Sequence, residues 1–187
     1  GKKVNVNDVK KLSEEKISEQ LTDEHHKMAV QSDKAVIDFF HEQIDGIEKA
    51  VFKEVKLRYP YEELLTVPGI GKILGITIML ETGDINRFPT VSDYSSYCRC
   101  VSSKKISNGK KKGEGNKKNG NKYLAWAYVE AANFMVRYSE PARRWHQRKT
   151  AKTNKIVAIK ALSNKIARAC YFIIKDQTPF DPKKLFQ

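Results

Sequence analysis

Val9, Leu12, Ile17 and Leu21 form a sparse apolar stripe, and Val36, Ile37, Phe39, Phe40, Ile44, Ile47, Val51, Phe52 and Val55 form a dense one. Their spacings of three, four and seven are helical periods, so the pattern predicts two helices. Ser32 followed by Asp33 offers an N-cap for the second. Charges fill the other faces, which suits a helical hairpin or coiled-coil arm over residues 1–60 more than a compact domain. Such an arm either packs on its own chain or joins copies of it.

The pattern changes at residue 61. Residues 61–88 read as a short helix, a Pro68-Gly69-Ile70-Gly71 turn and a second apolar helix ended by Gly83-Asp84 and Phe88-Pro89, which is a helix-hairpin-helix pattern. Residues 92–101 predict a further short helix with Ser92 as its cap. Residues 102–121 are a basic loop. Beyond it residues 122–138 are apolar nearly all round and predict a buried helix, and Ser139-Glu140-Pro141 starts a shorter one. Asn154 starts the last, with Ile156, Ile159, Leu162, Ile166, Ala169, Cys170 and Ile173 as its core stripe and Lys155, Lys160, Lys165, Arg168 and Lys175 outside. The fold class is therefore mainly all-α, an arm followed by a helical domain over residues 61–187.

Composition sharpens this picture. The chain has 187 residues, and 40% apolar content is enough for a real core. Its formal charge is +13, which points to a polyanionic partner. The charge is divided unevenly: residues 1–65 carry 11 Lys+Arg against 14 Asp+Glu, and the remainder carries 24 against 8. The cationic surface thus belongs to the second part. No apolar run approaches the roughly 20 residues that span a bilayer, and no signal-peptide pattern opens the chain, so a soluble protein is expected. Cys98, Cys100 and Cys170 lack zinc-site spacing and read as reduced packing thiols without a metal. Opening on Gly1 rather than methionine suggests a piece of a longer protein.

Candidate chemistry concentrates in two places. In the Pro68–Lys72 turn, Gly69 and Gly71 would let the backbone approach a phosphate, with Lys72 and the next helix's free N–H groups beside it. Such contacts grip the backbone without reading bases. From Ser103 to Lys122 there are eight lysines, four glycines and one acid. Lys104, Lys105, Lys110, Lys111, Lys112, Lys117, Lys118 and Lys122 make either a disordered basic loop or a phosphate-gripping loop or hairpin. Ser107 stands among them beside Asn108-Gly109, where a hydroxyl amid cations suits phosphoryl chemistry, although polar filler in such a loop is the commoner case. Arg143, Arg144, Arg148 and Lys149 add a basic helix face, and His146 there reads as a surface or phosphate contact rather than a metal ligand.

Four stretches carry a family resemblance: LLTVPGIG followed by ETGDINRFPT (Leu64 to Thr90), SYCRCVSSKKISNGKKKGEG (Ser96 to Gly115), NKKNGNKYLAWAYVEAANFMVRYSEPAR (Asn116 to Arg143) and KIVAIKALSNKIARACYFIIKDQTPFD (Lys155 to Asp181). In this order they resemble the carboxy-terminal transposase domain of the insertion-sequence one-ten/eleven-eleven family of bacterial transposases. The resemblance implies a coiled-coil arm, an upstream ribonuclease-H-like domain that holds Mg2+ on an acidic tetrad, and no cofactor in this part. It lays the family's nucleophilic serine on Ser107, in Ser107-Asn108-Gly109-Lys110, where attack on a DNA phosphate would give a covalent serine intermediate. Asn108 stands where the family has a glycine. DNA, a structured bridge RNA and further copies of the chain are the implied partners, in the bacterial cytoplasm at the nucleoid. The rival expectation is a helix-hairpin-helix module that binds DNA in recombination or repair without chemistry of its own.

Overall fold

A computed structural model describes residues 6–9, 11–55, 60–101, 104–114 and 119–186. The chain divides into two compact units, residues 1–54 and 55–187.

In the first, the two expected helices are three: α1 (Val6–Val9), α2 (Glu14–Gln20) and α3 (Glu24–Val55). The sparse stripe is split because Ser13 caps α2, its hydroxyl accepting from the Lys16 N–H at 3.3 Å, and Leu21 turns the chain back to extended backbone. Ile17 is buried. The long helix does not start at Ser32-Asp33. Asp23 caps it, accepting from the His26 N–H at 2.9 Å, and Ser32 and Asp33 lie in its interior. A capping residue starts a helix only where nothing upstream continues it, and residues 24–31 contain neither glycine nor proline. Lys27 pairs with Glu24 and Lys34 with Asp38, one turn apart on the surface. Val36, Phe39, Phe40, Ile44 and Ile47 of the dense stripe are exposed.

The second unit begins with α4 (Tyr61–Leu65) and α5 (Lys72–Thr82), followed by a 3-10 turn (Ile85–Arg87) and α6 (Val91–Tyr97). A hairpin of β1 (Lys104–Ser107) and β2 (Lys110–Glu114) comes next. The chain then continues through α7 (Lys122–Tyr138), α8 (Glu140–Lys152), α9 (Lys155–Asp176) and α10 (Pro182–Phe186). Apart from the hairpin the described elements are helical, as the periodicity required. Helices α7 and α9 pack against each other; α5 and α8 lean on α7, α6 and α8 on α9, and α4 on both α5 and α9.

Leu124, Ala127, Tyr128, Ala131 and Met135 of α7 meet Leu162, Ile166, Ala167 and Cys170 of α9 in the fully buried centre. Each large side chain so buried contributes about 1.5–3 kcal/mol. A tyrosine cluster sits there. The Tyr94 hydroxyl is 2.8 Å from Thr82 Oγ1 and 2.6 Å from the Tyr128 hydroxyl, and Tyr171 donates to the Phe88 carbonyl at 3.1 Å. Burial pushes both the Tyr94 and Tyr128 hydroxyls well above the ordinary tyrosine pKa, so they remain donors. Burial likewise pushes the thiols of Cys100 and Cys170 up to about 12 and raises that of Cys98, so all three stay protonated among the packed side chains.

Three local expectations need correction. Thr90 rather than Ser92 caps α6: its hydroxyl accepts from the Asp93 N–H at 3.2 Å while Asp93 accepts from the Thr90 N–H at 3.0 Å, a reciprocal box that Ser92 has no partner to form. Helix α7 is not buried all round, since Tyr123, Trp126 and Tyr138 are exposed. Ile156 belongs to no core stripe: it is 74% exposed in the first turn of α9, before that helix has reached its neighbours, and Ala158 is the first residue buried there.

Candidate nucleic-acid interface

The basic segment is organised by its turn. Asn108 and Gly109 both adopt positive φ, +50° and +70°, the requirement of a type I′ hairpin, whose twist matches that of the flanking strands. Asn-Gly is the strongest short hairpin signal, and it decides between the loop and hairpin readings left open by the composition. Ser107 and Lys110 face each other across this turn as register partners, so their side chains leave the same face of the hairpin. Both are exposed, as is Lys112. The register slips between Lys105 and Ile106, so that Lys105 opposes Gly113 while Ile106 opposes Lys111, and Lys112 has no opposite residue. Such a bulge twists the hairpin and re-aims its side chains. The backbone thus places Lys104, Lys105 and Lys111 on the strands that carry Ser107. Lys117 and Lys118 lie outside the described residues.

The two ends of the segment are held together. The Asn121 N–H donates to the Tyr97 carbonyl at 2.7 Å, and Arg99 donates to the Gly120 carbonyl through Nε at 3.1 Å and Nη2 at 2.8 Å. A Cβ on Gly120 would collide with the Tyr97 carbonyl. The Asn121 amide also donates to Glu81 Oε2 on α5 at 2.6 Å, and its oxygen caps α7 by accepting from the Tyr123 and Leu124 N–H groups. The Arg87 guanidinium lies 4.5 Å from the ring centroids of both Phe88 and Tyr97. The Asn121 bond, with Arg87 beside it, holds the Tyr97 hydroxyl below the usual tyrosine pKa. Sequence reasoning passed over Glu81, Arg87, Tyr97, Arg99 and Asn121. The capping Asn121 ahead of an apolar helix was the signal there to read, because the hydrogen bonds that Arg99 and Glu81 make join residues 21 and 40 apart.

The Pro68–Lys72 turn separates its two glycines. Gly69 has φ +94°, and a Cβ there would lie 2.6 Å from the Met135 nitrogen and closer still to the Ala131 carbonyl. Its close approach is therefore to the backbone of α7. Gly71 is different: it starts α5 at φ −90° with nothing within 4 Å of a Cβ, and Lys72 follows it at the surface. The open side of the turn is at Gly71-Lys72.

Arg143 and Arg144 of α8 have partners already. Arg143 ion-pairs with Glu140 at 3.0 Å and donates to the Arg137 carbonyl at 2.8 Å, which closes the C-terminus of α7. Arg144 lies 3.3 Å from the same Glu140. Lys122, at the start of α7, rests 4.8 Å from the Tyr123 ring centroid. His146 sits 3.5 Å from Thr150 Oγ1. Among the described residues no three His, Cys, Asp or Glu side chains group as metal ligands. Among the same residues no helix is long and apolar enough to cross a membrane.

An all-α unit that displays a lysine-rich hairpin with a serine beside its turn is the class these elements define. Residues 61–147, from α4 through most of α8 and including the whole hairpin, match the family model described as Transposase IS116/IS110/IS902 family. The transposase for insertion sequence element IS1328 of Yersinia enterocolitica is 27% identical over 143 residues, an alignment covering 74% of this chain and 43% of that protein. The chain spans less than half the length of the curated relative it matches.

Proposed function

We propose that this chain is the DNA-handling part of a transposase and that Ser107 is its nucleophile. The observation that carries the reading is the pairing of Ser107 with Lys110 across an exposed type I′ turn, inside the matched transposase domain. Ser107 Oγ attacks a scissile phosphodiester: its oxygen bonds to phosphorus, the P–O bond to the leaving strand breaks, and the departing oxygen takes a proton. The serine–DNA ester is then resolved by a hydroxyl of a second DNA end. Lys110 and Lys112 supply positive charge where the phosphoryl oxygens gain negative charge in the transition state. Mg2+ chemistry belongs on this reading to a ribonuclease-H-like domain outside residues 61–187, and a structured guide RNA is a second polyanion for the cationic surface. The exposed stripe Val36, Phe40, Ile44 and Ile47, spaced at four, four and three along α3, supports a homo-oligomer built through the arm.

The open Gly71-Lys72 turn favours a second reading, a module that holds the DNA backbone without chemistry. One experiment separates the two. Expressed from its complete reading frame and incubated with donor DNA, the protein should form an adduct that survives a denaturing gel. Ser107→Ala should abolish that adduct while leaving DNA binding intact. An undiminished adduct in Ser107→Ala overturns the assignment, and no adduct with any protein supports the binding module.

A further inference from the structure

The face of α7 turned away from the core carries exposed rings among its charges. At 100° per residue Tyr123, Trp126, Glu130, Phe134 and Arg137 fall within one sector, opposite the buried Tyr128, Ala132 and Met135. Tyr123 is 52% and Trp126 50% exposed, and Tyr138, 74% exposed, stacks on Phe134 with planes 10° apart. A cation stands at each end: Lys122 Nζ lies 4.8 Å from the Tyr123 centroid and the Arg137 guanidinium 5.6 Å from that of Phe134. Tyr123 and Phe134 are eleven residues apart, roughly 16 Å along the axis. The row starts just after Asn121, the residue that ties off the cationic hairpin.

We infer that this face of α7 is a stacking platform for the unpaired bases of a single-stranded nucleic acid, whose backbone the hairpin lysines and the flanking Lys122 and Arg137 would hold. Flat π faces bracketed by cations, in a unit with a large positive excess, match the chemistry of a strand that offers exposed bases and phosphates together. The one acid in the sector, half-buried Glu130, is outnumbered by Lys122 and Arg137 at its two ends, so the face keeps the positive sign that a phosphate backbone requires. The inference deepens the nucleic-acid reading above and rests on it, but it is independent of Ser107.

The test uses three labelled probes of about 20 nucleotides, long enough to cover such a platform: oligothymidylate, an abasic strand of equal length, and a duplex. Trp126→Ala should weaken binding of oligothymidylate by on the order of tenfold, leave the abasic strand and the duplex within about twofold, and keep the helical circular dichroism signal. Trp126→Phe, which retains a ring and serves as the folding-safe variant, should restore most of the loss. In a Trp145→Phe background Trp126 fluorescence should be quenched by oligothymidylate and not by the abasic strand. Equal affinity of Trp126→Ala and the parent for oligothymidylate, or an equal loss on the abasic strand, overturns the platform while duplex binding keeps the broader reading. Failure of the parent chain to bind any probe overturns both.

Discussion

Gly69 and Gly71 stand two residues apart and meet different needs. A side chain at 69 is opposed twice, by a left-handed φ and by the backbone of α7, whereas a side chain at 71 meets open space at an ordinary φ. Gly69→Ala should therefore cost about 3 kcal/mol or more in urea unfolding, and Gly71→Ala less than about 1 kcal/mol. If Gly71 is the point of phosphate approach, Gly71→Ala also lowers DNA affinity at nearly unchanged stability, a separation that Gly69→Ala cannot provide. From the sequence both glycines read as phosphate-approach positions, because P-G-I-G records that backbone comes close to something without recording what. The partners of Gly69 in α7, Ala131 and Met135, lie more than 60 residues further along the chain.

Among the elements, the β-hairpin holds the candidate chemistry. Its geometry depends on two positive-φ residues, and valine in place of Gly109 cannot adopt +70° without strain. Gly109→Val should speed amide exchange across residues 104–114 and abolish the DNA adduct although Ser107 is still present. The melting temperature of the helical unit should stay within about 2 °C, since the turn is solvent-exposed. An adduct of full yield in Gly109→Val would show that Ser107 needs no hairpin to react. The lysine and glycine bias of this stretch was legible, and Asn108-Gly109 held the turn type. The clamp at its base was not, since it depends on Tyr97, Arg99 and Glu81 being brought to Gly120-Asn121 by the packing of α5 and α6 on the helical core.

For the whole molecule the governing quantity is charge. Affinity for duplex DNA should fall steeply with salt, and each phosphate contact removed from B-DNA lowers the slope of log K against log salt by about 0.9. Lys110→Ala with Lys112→Ala should lower that slope by about 1.8, measured by titrations at several salt concentrations. Arg144→Ala should change it less, because Arg144 shares its charge with Glu140. A slope unchanged in the double lysine variant would place the DNA elsewhere than on the hairpin. Arg143 and Arg144 of α8 read as equal candidates in the sequence, yet Arg143 is spent on the end of α7.

What the sequence determined by itself was what depends on near neighbours: the helical class, most of the helix positions, the cationic bias around Ser107 and the three family signatures that fall within the matched residues 61–147. Helical period, turn chemistry and local charge are written within a few residues of where they act. Tertiary structure alone decided that Gly69 serves α7, that Asn121 and Arg99 close the hairpin's base, and that one face of the apolar helix α7 meets solvent. Each of these depends on which surfaces remain after the helices have packed, and that remainder is a property of the assembled core.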